Sequence, residues 1–233
     1  METIVISGAG KGLGKGLAMY FAMKGYNVAI ASRTKADLDE ISEAVAKGKF
    51  AGKLFTAVAD LSQKSEVEKF CSEVKNQFSE IKVLINNLGI YQQDSIENFD
   101  EEVLERNLNT NLKSAVWLTK NLVQPIIKTK GNIINICSVI TKRPRKDGFS
   151  YTISKAALKG FNDSIREDLR EKGVKVSAIY PAAINTSSWE GTDEETLRQL
   201  IQPDDIARAI ETILSANDAT LFSEIHIDNL KKL

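Results

Sequence analysis

Several residue types that mark specialised proteins are scarce in this chain. There is one histidine, His226, and only two cysteines, Cys71 and Cys137. The cysteines are too far apart for a metal-ligand or redox-pair spacing, so both read as buried thiols in a reducing compartment and no metal site is expected. Prolines number four, and no Pro/Gly/Ser-rich linker or internal repeat breaks the chain, so residues 1–233 are expected to form a single domain. No apolar run approaches the ~20 residues needed to span a bilayer. Met1 leads straight into an apolar stretch without a basic flank or signal-type core, which predicts a cytoplasmic protein with no membrane partner. Charge of one sign is not in excess either: 31 Lys and Arg balance 31 Asp and Glu. Nothing there is the footprint of a nucleic-acid partner.

What is present is alternation. Short runs rich in β-branched residues occur at Thr3–Ser7, Asn27–Ser32, Leu54–Ala59, Lys82–Asn86, Asn132–Cys137, Val174–Tyr180 and Leu221–Asp228. Between them lie stretches of helical period: Gly12–Lys24, Lys35–Lys47, Ser62–Phe78 with Ser62 as N-cap, Glu101–Lys128, Tyr151–Lys172 and Gln202–Ala216. Uniformly apolar strands suit a sheet covered on both faces. Strict strand–helix alternation predicts a Rossmann-type, doubly wound parallel sheet of about seven strands. Two long irregular stretches remain, Ile140–Ser150 and Ala182–Ile201, and long loops in such folds tend to be functional.

The first strand runs into Ser7-Gly8-Ala9-Gly10-Lys11-Gly12-Leu13-Gly14. Glycines at this point permit a tight turn and close backbone approach to a pyrophosphate, with the free N–H groups of the following helix as anion donors. The strict G-x-G-x-x-G pattern is not met; Ser-G-x-x-x-G-x-G is. At the end of the second strand, where a carboxylate would hold the adenosine ribose hydroxyls and repel a 2′-phosphate, stand Ser32-Arg33-Thr34, with no acid before Asp37. Arg33 can fork onto a 2′-phosphate and Lys11 can reach the same group, which favours NADP(H). Either cation alone would read equally well as a solvated surface charge.

Tyr151-Thr-Ile-Ser-Lys155 places a phenol and an ammonium on one helix face. A nearby cation stabilises phenolate and lowers a pKa that is otherwise near 10, matching it to proton exchange with an alkoxide. Ser138 closes the fifth strand, Asn111 lies on the long helix after the fourth, and Asn86-Asn87-Leu88-Gly89 closes the fourth.

In order and spacing these residues resemble the short-chain dehydrogenase/reductase family, from Thr3 to about Thr186, and the glycine turn is also that family's. The resemblance implies an Asn–Ser–Tyr–Lys tetrad at Asn111, Ser138, Tyr151 and Lys155. Ser138 would orient a substrate carbonyl, and Tyr151 would give or take the proton. Lys155 would lower the Tyr151 pKa and hold the nicotinamide ribose, and Asn111 would fix a relay water. The resemblance further implies cofactor contacts at Asp60 and Leu61, at Asn87, Leu88 and Gly89, and at Pro181, Ala182, Ile184 and Thr186, with Asn86 structural or on the cofactor side. Two positions depart from the pattern. Leu88 replaces a smaller residue and should press on the cofactor cleft; Ala182 replaces a glycine, so a positive φ there would be costly.

The expected substrate is a small carbonyl/alcohol pair. Lys142, Arg143, Arg145 and Lys146 read either as a solvated basic loop or as an attractor for an anionic substrate or carrier. The stretch 182–201 is expected to be a substrate loop and lid, with Trp189 a pocket wall or a packing anchor and Glu190–Glu195 acidic. His226 is expected to be structural. The length of the long helices agrees with the four-helix interface usual in such proteins, which predicts a homodimer or homotetramer. An NADP(H)-binding regulator without catalysis is the alternative; an epimerase or dehydratase is disfavoured by the little chain left after Thr186.

Overall fold

Seven apolar runs become the strands of one sheet: β1 (Thr3–Ile6), β2 (Asn27–Ser32), β3 (Leu54–Val58), β4 (Val83–Asn86), β5 (Asn132–Ile136), β6 (Lys175–Pro181) and β7 (Glu224–Ile227). The computed structural model describes all residues except Ser187, Ser188, Glu190, Lys232 and Leu233, so the expectation for Glu190 lies outside the described residues. The strand order is β3-β2-β1-β4-β5-β6-β7, every pair parallel. Order therefore reverses between β1 and β4, which opens a crevice beyond their carboxyl ends, the place where such sheets bind ligands.

The helices are α1 (Gly12–Met23), α2 (Lys35–Gly48), α3 (Lys64–Gln77), α4 (Glu101–Leu108), α5 (Ser114–Thr129), α6 (Phe149–Arg170), α7 (Glu194–Gln199) and α8 (Pro203–Ser215). They cover both faces. On one, Ile4 and Ile6 pack with Leu17, Phe21, Ile206 and Ile210. On the other, Val5 and Leu84 pack with Phe70, Val74, Leu118 and Leu122. Alternate residues of β1 thus enter opposite cores, which is why its sequence is apolar without a polar alternate.

Local chemistry moved several boundaries. The predicted helix over Glu101–Lys128 is two helices joined by a π-helical turn at Asn109–Lys113. Ser62 does not cap α3: it bonds Asp60 Oδ1 through its amide (3.0 Å) and hydroxyl (2.7 Å), while Gln63 takes the cap position. The Tyr151 helix starts earlier, at Phe149, because Asp94 accepts from the amide of Ser150 at 3.0 Å and supplies an N-terminal acceptor. The loop Ala182–Ile201 contains α7, capped by Asp193 accepting from the Thr196 amide at 2.9 Å, and its two ends meet at an Ile184–Ile201 bridge. No described helix is long and apolar enough to cross a membrane.

Candidate active site

The crevice at the switch point is a cleft of about 1010 Å³. Its floor is the glycine turn. Gly8 and Gly12 have φ of 65° and 54°, a region that side-chain-bearing residues rarely adopt. At Gly10 a Cβ would lie 2.3 Å from Ser32 Oγ, and at Gly14 one would lie 2.2 Å from the Gly8 carbonyl oxygen. These glycines keep the floor bare. The N-terminus of α1 receives no side-chain cap from Lys11 and has no acid in its first turn, so its amides face the cleft undiminished. Leu13, Ser32, Arg33, Thr34, Asp60 and Leu61 line the walls. Lys11 lies 3.8 Å from the partly buried Asp37, whereas Arg33 is exposed and in no ion pair among the described residues. A polyphosphate dinucleotide fits this donor set, with backbone amides for the pyrophosphate and two cations at the adenosine end.

Some expected cofactor contacts are placed elsewhere. Ser7 is buried rather than on the cleft: its hydroxyl accepts from the amides of Asn87 and Leu88, each at 3.0 Å, and so ties β1 to the segment after β4. Asn87 returns the bond, donating to the carbonyls of Ser7 (3.0 Å) and Gly8 (3.1 Å). Leu88 does press on the turn; its Cα would stand 2.8 Å from a Cβ at Gly8. After β6, Thr186 is the one residue among those described that lines the cleft. Pro181 belongs to the strand, Ala182 donates its amide to Ile227 at 2.9 Å without a positive φ, and Ile184 packs against the core. Pairing with β7 and with Ile201 draws this stretch away from the cleft.

The tetrad positions do not line the cleft themselves; Asn111, Tyr151 and Lys155 stand directly behind its lining residues Gly89, Ile90 and Tyr91. Lys155 is buried, donating from Nζ to the Ile136 carbonyl at 2.9 Å, and stands 5.8 Å from the centre of the Tyr151 ring. Gly89 leaves room for it, since a Cβ there would lie 3.2 Å from Lys155 Nζ. Burial pulls the Lys155 ammonium down to about 8. The Ser138 hydroxyl pulls the Tyr151 pKa down, but desolvation outweighs it and pushes that pKa up to about 12. This corrects the expectation that Lys155 lowers the Tyr151 pKa: its ammonium is drawn to the Ile136 carbonyl at the end of β5 and is not among the groups that shift the phenol. Ser138 Oγ also accepts from the Ile140 amide at 3.2 Å.

Asn111 sits within the π-helical turn, where the widened backbone swings its amide into the site. Its Oδ1 accepts from the Ile90 amide (2.8 Å). Its Nδ2 donates to the Ile90 carbonyl (3.0 Å), Ser154 Oγ (2.9 Å) and Asn107 Oδ1 (3.1 Å). With two hydrogens shared among three acceptors, the amide nitrogen is fully engaged by protein, and Asn111 acts here as a clamp on the segment after β4. Asn86 is structural: it donates to Asn135 (2.8 Å), which donates to Asn162 (2.9 Å), a buried amide chain under the site.

Sequence reasoning missed the segment that follows Gly89. Tyr91, Gln92, Arg106 and Thr110 all line the cleft, and the Tyr91 ring meets that of Tyr151 edge-on at 5.2 Å. Their only signal in the sequence was position, Tyr91 and Gln92 shortly after a strand end, and Arg106 and Thr110 within five residues before Asn111. The basic loop also reads differently in three dimensions. Lys142 contacts His226 at 2.9 Å, Arg143 pairs with Asp228, and Arg145 pairs with Asp147 at 3.1 Å, so three of its four cations have internal partners. His226 stacks on Tyr180 at 4.5 Å, away from the tetrad. Trp189 is half-buried and donates its amide to Thr186 at 3.0 Å. Both thiols are free and buried, and burial pushes Cys71 to about 12 and Cys137 to about 11.

A parallel sheet with this order and a Ser–Tyr–Lys group at its carboxyl edge define a Rossmann-type oxidoreductase. The chain belongs to the short chain dehydrogenase family, whose family model matches residues 2–197. It is 29% identical over 231 residues to the sepiapterin reductase of Chlorobaculum tepidum, covering 95% of this chain and 93% of that one. It is 28% identical over 211 residues to the 3-oxoacyl-acyl-carrier-protein reductase of Staphylococcus aureus, covering 89% and 84%. A metagenomic short-chain oxidoreductase solved in complex with NADP superposes with a TM-score of 0.85 at 26% identity, covering 99% of this chain and 98% of its own.

Proposed function

We propose that this protein is an NADPH-dependent reductase that converts a ketone, aldehyde or 3-oxoacyl thioester to an alcohol. The observation that carries the reading is the Ser138–Tyr151 hydroxyl pair and a buried Lys155 set directly behind Gly89 and Tyr91, which line a bare, amide-lined cleft. NADPH, when bound, would supply hydride to the carbonyl carbon. Arg33 and Lys11 would hold the 2′-phosphate, with Arg33 the stronger partner because Lys11 already has Asp37 nearby. Ser138 donates to the carbonyl oxygen and orients it. Tyr151, protonated across the neutral range because desolvation holds its pKa near 12, delivers the proton as negative charge builds on that oxygen. That is the protonation state in which it can act as the acid of a reduction. Lys155 keeps a positive charge beneath the ring until pH passes about 8. Reductases among the relatives support the direction, and the NADP complex of the metagenomic oxidoreductase supports the cofactor. The internal pairing of the basic loop favours an uncharged carbonyl over an anionic one.

The test is NADPH consumption with a panel of carbonyl compounds, wild type beside Tyr151→Phe. Turnover by the wild type and a loss of roughly 10²–10⁴-fold in kcat for the variant, with NADPH still bound, are expected. Equal turnover by both proteins would remove the role given to Tyr151. NADPH binding by both proteins without turnover of any carbonyl would favour a non-catalytic dinucleotide-binding regulator.

A further inference from the structure

We propose that Tyr91 is the specificity-determining wall of the substrate site, selecting carbonyls that carry a flat aromatic or conjugated group beside the reacting carbon. The inference rests on the reductase reading and names the class of substrate that this site would take. Tyr91 follows the clamped residue Ile90, so its backbone is held by Asn111 one residue away. It lines the cleft, and 47% of it stays exposed. Its ring meets the Tyr151 ring at 87° with centroids 5.2 Å apart.

The ring is fixed rather than swinging. Tyr91 Oη donates to the Asp147 carbonyl at 3.0 Å. Asp147 is held in turn by two bonds from Arg145, each 3.1 Å, by Gln93 Nε2 at 3.2 Å, and through its carbonyl by the Asp94 amide at 3.3 Å. Tying the hydroxyl to the loop before α6 leaves the ring carbons as the surface offered to the cleft. A carbonyl oxygen in hydrogen-bond reach of Tyr151 sets its own substituent beside Tyr91, within the ~4.5–7 Å over which aromatic rings attract each other. An alkyl substituent fills the same space without that attraction. On this reading Arg145 serves to hold Asp147, and through it Tyr91, instead of calling in a charged substrate.

The experiment compares kcat/KM for an aryl alkyl ketone and a small dialkyl ketone in wild type, Tyr91→Leu and Tyr91→Phe. The aryl-to-alkyl ratio should fall about 3–10-fold in Tyr91→Leu, chiefly through KM for the aryl ketone, and should be largely kept in Tyr91→Phe, which retains the ring. Should Tyr91→Leu fail to fold, Tyr91→Gln, which also lacks the ring and suits an exposed position, should lower the ratio in the same direction. An unchanged ratio in a folded Tyr91→Leu (or, failing that variant, in Tyr91→Gln), with Tyr151→Phe still inactive, would overturn the inference and leave the reductase reading standing. A wild type that turns over no carbonyl would overturn both.

Discussion

The floor of the site and its rim use polar residues in opposite ways. On the floor, Asn111, Lys155, Asn86, Asn135 and Asn162 are buried, and each is held by hydrogen bonds to other buried groups or to backbone. On the rim, Lys142, Arg143 and Arg145 are exposed, and each meets its partner in solvent. A buried polar group that loses its partner bears the full desolvation penalty, whereas an exposed ion pair exchanges its partner for water at little cost. Rigidity, and with it the placement of reacting groups, therefore resides in the floor; the rim can change without disturbing the chemistry beneath it.

The comparison can be broken most directly at Lys155. Replacing it with Met should lower kcat by at least ~10²-fold, because the charge beneath Tyr151 is lost; a milder effect would show that the phenol works without it. Next is Asn111→Ala, which strands the amide and carbonyl of Ile90. A loss of about 2–3 kcal/mol in urea unfolding is expected, together with reduced activity, and a neutral result would deny the clamp. A third effect is on cofactor choice: Arg33→Ala should weaken NADPH about tenfold or more while leaving NADH nearly unchanged, read by fluorescence titration. Equal losses would move the 2′-phosphate elsewhere. The pH profile sharpens the picture of the floor. The buried Lys155 loses its proton as pH rises through about 8 instead of near its ordinary 10.5, so kcat/KM for NADPH in the reduction should be level below about 8 and decline above it. A plateau extending past pH 10 would mean that the amine keeps its charge. Smallest should be Arg143→Ala on the rim, with a Tm change under ~2 °C and no change in the salt dependence of kcat/KM.

The same division governs what could be read from the sequence. Strands of β1, β4 and β5 were legible because burial on both faces leaves no polar alternate to confuse the pattern, and Asn27–Ser32 was placed to the residue. The glycine turn was legible because close approach and positive φ admit few other residues. What escaped were features decided by contacts distant in sequence. Asp94 begins α6 from 56 positions away, and nothing in its neighbourhood marks it as a cap. The charges of the basic loop suggested a ligand site until Asp228, Asp147 and His226 were seen beside them. Ser62 was chosen as a cap on residue type alone, yet Asp60 competes for its hydroxyl. Pro181, Ala182 and Ile184 were assigned to the cleft by the family's pattern, while pairing with β7 and Ile201 committed them otherwise.

The π-helical turn at Asn109–Lys113 makes one rod answer to two partners: α4 lies against α6, and α5 lies against α3. One added residue in a regular α-helix would rotate everything beyond it by about 100°; the widened turn takes that residue up locally, so α4 and α5 keep their own packing faces. Deleting Thr110 to regularise the rod would withdraw Asn111 from Ile90 while leaving the apolar stripe of α5 against α3. The extra residue thus belongs to the site and not to the core, and a shortened helix would keep its packing and lose the clamp.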